Sequence, residues 1–170
     1  MRRFAIKTAA IAAAALMLGT GSAMAGKADD TLVWSTDREV DVALPFFNNV
    51  REMVIMTRLG WDNLVFRNLE TFEYEPLLAT SWKWASDTAI EMELRKGVKF
   101  HDGTDFNADD VVATINHLVR EDSGVLTRRN ISWMKNAEKL GDYSVRINLV
   151  KPFPAAFEFL SGPLAILPSE

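Results

Sequence analysis

The chain has 170 residues and no cysteine, which excludes disulfides, thiol nucleophiles and thiolate metal sites. Its 19 basic residues stand against 23 acidic ones, a net charge of -4, which argues against nucleic acid or an anionic membrane surface as the main partner. With 48% of the residues hydrophobic, a chain of this length can hold one ordinary domain by burial alone.

The N-terminal segment reads as an export signal. Arg2, Arg3 and Lys7 form a basic start without acids, and an apolar run from Ala9 to Leu18 follows. Gly19-Thr20-Gly21-Ser22 then breaks any helix, and Ala23-Met24-Ala25 supplies the small residues of a cleavage site before Gly26. A transmembrane anchor is the competing reading, but the run is about half of the roughly 20 residues a span requires. Arg2-Arg3 suggests twin-arginine export, whereas Phe4 directly after the pair favours the ordinary secretory route. No Cys follows the apolar run, so the reading is a freely diffusing periplasmic protein with a signal at 1–25 and a mature part at 26–170. Cleavage removes three basic residues and no acid, leaving a net charge near -7.

Beyond the signal, Thr31 to Ser35 reads as a short first strand. A polar loop from Asp37 to Asn49 follows, carrying Leu44, Phe46 and Phe47. From Asn49 to Leu59, the spacing of Val50, Met53, Val54 and Leu59 predicts a helix capped by Asn48 or Asn49 and ended by Gly60. Trp82 and Trp84 share one face of a strand-like segment and are expected to contribute much of the core area. Strict alternation over Ile90 to Arg95 predicts a strand with one buried face, and after a Lys96-Gly97 turn Val98 and Phe100 resume it. The strongest helix signal runs from Ala108 to Arg120, with Asn107 as N-cap, Phe106 as apolar staple and Asp109 and Asp110 in the first turn. Its apolar face is Val111, Val112, Ile115, Leu118 and Val119. Tyr143, Val145, Ile147 and Leu149 alternate again, and Lys151-Pro152-Phe153-Pro154 stops that strand and opens a short helix. The mixture predicts an α/β or α+β domain.

The order of words from Tyr74 onward carries a resemblance. Glu75-Pro76-Leu77-Leu78-Ala79-Thr80-Ser81-Trp82 precedes Leu94-Arg95-Lys96-Gly97-Val98-Lys99-Phe100-His101-Asp102-Gly103-Thr104, and Phe106-Asn107-Ala108-Asp109-Asp110-Val111-Val112 follows. This series resembles the extracytoplasmic solute-binding proteins of family 5, the peptide/nickel class that serves ABC importers. The resemblance implies an α/β fold of the periplasmic-binding-protein type II, two lobes that close on a ligand, no cofactor and a monomer. It also implies a peptide or similar small solute as ligand and permease subunits of the inner membrane as partners. Family members run to several hundred residues, so this chain is expected to be an N-terminal fragment. It would hold an incomplete first lobe and part of the family's extra domain. The local chemistry of the words themselves is structural: Asp102-Gly103 needs a turn with positive φ, and His101 and Asp102 can bond turn backbone.

Candidate ligand residues lie elsewhere. Ligands of open α/β folds gather at the carboxyl ends of strands, and the resemblance places the loop after the first strand at the interlobe cleft. Asp37, Arg38 and Glu39 could pair with a charged solute and Leu44 and Phe46 could line its apolar part. A surface loop with a hydrophobic plug is the alternative. His101 with Asp102 or Asp105 could suggest a metal, but a turn histidine and a solvated helix histidine at His117 explain both histidines, and no metal site is expected. Glu91 and Glu93 read as solvated strand acids. No nucleophile elbow, Walker sequence or H-E-x-x-H pattern occurs, so no catalytic residue and no enzyme activity are expected. Two other readings stay open on the sequence: a secreted α/β hydrolase whose catalytic residues lie downstream, and a binding protein acting as chaperone or chemoreceptor partner.

Overall fold

The computed structural model describes residues 35–40, 42–48 and 50–169. Two compact units divide at Asp37 and Arg38, and the architecture below is that of the second. The export signal, its cleavage site at Ala25 and Gly26, and the expected first strand up to Trp34 lie outside the described residues.

Helix α1 (Arg51–Gly60) opens the unit. Its N-cap position is Val50 and no side chain caps it, contrary to the expected asparagine cap: Asn48 Oδ1 accepts from Val50 N–H at 3.0 Å and so fixes the turn leading into the helix. Its apolar residues do not all turn inward. Met53 is 1% exposed, whereas Val54 and Leu59 stand 55% and 74% exposed, so periodicity overstated the buried face. Strands β1 (Val65–Arg67) and β2 (Tyr74–Pro76) then form a separate antiparallel pair.

The main sheet has four antiparallel strands in the order β3-β4-β6-β5. They are β3 (Ala79–Ser86), β4 (Ala89–Leu94), β5 (Met134–Gly141) and β6 (Ser144–Leu149). Two hairpins, β3–β4 and β5–β6, are joined through the central pair, where Ile90 faces Ile147 and Met92 faces Val145. One face of these strands is wholly apolar: Ile90, Met92, Leu94, Val145, Ile147 and Leu149 are all buried. Helix α2 (Ala108–Val119) covers it with Val111, Ile115 and Leu118. Each such side chain contributes about 1.5–3 kcal/mol by leaving water, which makes this layer the centre of stability. The opposite face carries Glu91, Arg146, Asn148 and Glu138.

Local chemistry sets the start of α2. Asn107 Oδ1 accepts from Asp109 N–H at 2.7 Å, and Asp110 returns a carboxylate oxygen to Asn107 N–H at 2.8 Å, a complete capping box. Phe106 just before the cap is 1% exposed, as a staple requires. A short 3-10 turn (Arg128–Asn130) leads into β5, and helix α3 (Ala156–Leu160) follows Pro154. The last segment, 162–169, is held by distant residues. Asn63 donates to Gly162 O (3.1 Å) and Leu164 O (2.6 Å), and Thr114 Oγ1 both donates to Leu167 O and accepts from its N–H at 3.1 Å. Asp110 Oδ1 accepts from Ser169 N–H at 2.9 Å.

Three expectations need correction. Trp84 is 43% exposed and Trp82 only half-buried, because β3 is an edge strand; the Phe157 ring of the short helix 156–160 lies against both (5.7 Å from Trp82, 6.0 Å from Trp84). Val98 and Phe100 do not continue as a strand: a single bridge between Lys99 and Asp105 closes a tight loop instead. Glu91 is no free surface acid, since Lys83 (3.0 Å) and Arg146 (2.6 Å) both clasp it.

Candidate functional site

The five residues singled out for ligand contact share one loop and differ sharply in setting. Asp37, Arg38 and Glu39 are exposed, with Asp37 at the end of the first unit and the other two at the start of the second. Leu44, 42% exposed, opens a turn in which its carbonyl accepts from Phe47 N–H at 3.2 Å. Phe46 is 1% exposed and its carbonyl accepts from Leu126 N–H. It belongs to the core and also backs a cleft of about 330 Å³ with Phe47, Thr114, His117 and Leu167. His117 is exposed at the mouth of that cleft, its ring 6.4 Å from the Phe47 ring. Within the second unit, then, the loop presents charge and Leu44 to water and sends Phe46 inward.

A second cleft, of about 280 Å³, lies where three distant segments meet: Gly60–Asp62 after α1, the 98–106 loop, and Ile166 with Pro168. Its floor is Leu78, Phe106 and Ile166, each buried. The 98–106 loop is fixed from within. Gly103 sits at φ +91°, which a side chain would resist, and Asp102 Oδ1 accepts from Thr104 N–H (2.9 Å) and from its hydroxyl (2.7 Å). Those two bonds, with a smaller contribution from the neighbouring His101, hold the Asp102 carboxyl below its usual range against a weaker opposing effect of burial. Lys99 is engaged by Asp105 at 2.7 Å, and His101 Nε2 lies 3.1 Å from Gly60 O, tying the loop to the end of α1.

Asp62, Lys99, His101 and Asp102 thus line this cleft around an apolar floor, an arrangement suited to holding a small ligand by its apolar body and orienting its polar end. His101 and Asp102 stand out in the sequence as turn formers. Trp61, Asp62 and Pro168 carry no such signal, because only the tertiary fold brings them beside the loop. Among the described residues no three His, Cys, Asp or Glu side chains converge as a metal site, and no helix is long and apolar enough to cross a membrane.

Comparison with known proteins gives this geometry a lineage. Residues 73–170, more than half of the chain, match the family model described as bacterial extracellular solute-binding proteins, family 5 Middle. The glutathione-binding protein GsiB of Pectobacterium atrosepticum is 32% identical over 92 residues, 54% of this chain and 18% of that protein. Among solved structures, the oligopeptide-binding protein AppA of Bacillus subtilis in complex with a nonapeptide superposes with a TM-score of 0.66 at 28% identity. It covers 73% of this chain and 25% of its own. NikA of Brucella suis in complex with Fe(III)-EDTA gives 0.65 at 29% identity, over 74% of this chain and 25% of its own. The chain thus spans about a fifth to a quarter of the length of these relatives. The word series from Tyr74 to Val112 lies inside the matched region and folds as the β2–β4 strands, the Asp102-Gly103 turn and the α2 cap, and the chain belongs to the bacterial extracellular solute-binding proteins of family 5.

Proposed function

We propose that the protein acts as a monomeric solute receptor outside the inner membrane, capturing a peptide or similar small solute and passing it to the permease subunits of an ABC importer. The observation that carries this is the family match over residues 73–170. Relatives bear names for glutathione and oligopeptide binding, and one is seen holding a nonapeptide, which favours a peptidic solute. The two clefts offer apolar floors with a few polar groups, a lining suited to holding a small ligand. In this reading the 1–25 segment is an export signal cut after Ala25, and binding works by closure, the ligand stabilising the closed state through its greater affinity for it.

Asp37, Arg38 and Glu39 would then meet the charged ends of the solute and Leu44 its apolar part, while Phe46, expected there too, is buried in the core and anchors the loop. The test is direct. The complete gene product, recovered from the periplasm and examined by native mass spectrometry, is expected to retain a peptide, and titration with glutathione and with peptides of two to nine residues to saturate. Arg38→Ala should weaken the tightest of these by about tenfold, the loss of roughly one charged hydrogen bond. Absence of binding to all of them at millimolar concentration would reject a peptidic solute.

A further inference from the structure

Strand β5 is one edge of the main sheet, and an edge strand is a template for pairing with another chain. In an antiparallel ladder, alternate residues of such a strand turn their N–H and C=O away from the sheet, where a further strand can take them. At Ala137, in the middle of β5, both groups are already taken. The side-chain amide of Asn116 donates to Ala137 O at 3.0 Å, and its Oδ1 accepts from Ala137 N–H at 2.8 Å. A carboxamide carries the donor and the acceptor of a peptide group. The closed pair of bonds is therefore the one that a neighbouring strand would make with the same residue.

The residues on both sides of this contact fit that role. Asn116 lies inside α2, where asparagine is a weak helix former because its amide competes for backbone groups. The helix does not need it to hold the sheet, which Val111, Ile115 and Leu118 already cover. Ala137 is 3% exposed, and its small side chain lets α2 come close enough for the amide to reach the strand backbone. Elsewhere β5 is guarded by other means. Its pairing with β6 shifts register between Met134 and Asn136 and again between Lys139 and Gly141. Lys135 is exposed, and Lys139 is held by Asp109 of α2 at 2.8 Å. Irregular ends and lysines discourage strand addition, which leaves the regular stretch around Ala137 as the place where a strand could add.

We propose that Asn116 is an edge lock: its amide stands in for a missing strand and stops a second copy of the chain from pairing with β5. Without it, the Ala137 N–H and C=O need new partners, and β5 of another copy offers the same two groups in a two-fold antiparallel pair. Such a pair brings Lys135 near Lys139 of the second copy. Asp109 and Asp142 (3.1 Å) already meet the charge of Lys139, so repulsion does not forbid the pairing.

The experiment compares the complete gene product with its Asn116→Ala variant, in which α2 keeps a strong helix former. Asn116→Leu, close to asparagine in size, is the second variant, and Asn63→Ala, which loosens a remote seam, is the control. Sedimentation velocity over a range of concentrations gives the association state, and hydrogen exchange read by mass spectrometry gives the protection of residues 134–141. In dilute solution these amides should exchange about fivefold to tenfold faster in the Asn116 variants than in the wild type, the worth of the lost hydrogen bonds. At higher concentration the variants should dimerise and the same amides regain protection, while the wild type and Asn63→Ala do not change. Variants that stay monomeric, or that gain protection outside β5, overturn the proposal. So does equal association of Asn63→Ala, or a wild type whose 134–141 amides already gain protection with concentration. Failure of both Asn116 variants to fold overturns it as well, making Asn116 a residue of stability alone. Solute binding, titrated on the same samples, keeps these outcomes apart from failure of the receptor reading.

Discussion

Asp110 shows how much one side chain can carry. It is 3% exposed and its two oxygens serve different purposes, Oδ2 closing the capping box on Asn107 and Oδ1 accepting from Ser169 N–H. Asp110→Ala should lower stability by about 2–3 kcal/mol in urea denaturation, since it removes a cap and leaves two backbone donors without their acceptor. Asp110→Asn should fall short of restoring the wild type, because one oxygen becomes a donor facing a donor. The first of these roles is legible: an acid three residues after an asparagine cap is a recognisable word. The second is not, because Ser169 lies 59 residues away and no local pattern joins it to Asp110.

At the scale of the elements, legibility followed burial. The β4 and β6 strands announce themselves because both bury every second side chain, and α2 because its cap and apolar stripe agree. Strand β5 does not, since Met134 and Ala137 are its only buried residues and its edge position leaves the rest in water. The β1–β2 pair is three residues per strand, too short to display a period. The candidate loop was visible as charge followed by apolar residues, while the cleft beside His101 was not, being assembled from segments that sequence keeps apart.

The polar face of the sheet adds a pH dependence. Hydrogen bonds from Arg146 first and Lys83 second hold the Glu91 carboxyl below its ordinary range, with burial opposing them. A group depressed in the folded state stabilises above its unfolded pKa, about 4.3, and that contribution fades as pH falls through the folded value. Glu91→Gln should therefore lower the melting temperature at neutral pH, and the gap to wild type should close as both are taken to pH 3. A gap that stayed constant with pH would assign the effect to packing and not to charge.

Considered as a whole, the second unit is closed by contacts between residues far apart in sequence. Asn63 bonds Gly162 and Leu164 across 99 and 101 residues, a bridge joins Asn63 to Ala165, and Thr114 holds Leu167 from 53 residues away. Asn63 is 8% exposed, so Asn63→Ala leaves two carbonyls without their donor at a buried seam and should cost about 2–3 kcal/mol, read by chemical denaturation. Because the seam ties one end of the unit to the other, the loss should appear as one cooperative transition at lower denaturant and not as fraying of the last segment alone.

The same seam has a consequence in time. A polypeptide made N-terminus first presents Asn63, Asp110 and Thr114 long before the partners at 162–169 arrive. Until then α2 lacks its clasp, and contacts of such long separation are slow to form. Closure of this seam is deferred until residues 162–169 are available. Asn63, Thr114 and Asp110 must each wait for a partner 53 to 101 residues away, so the seam is a late event in folding.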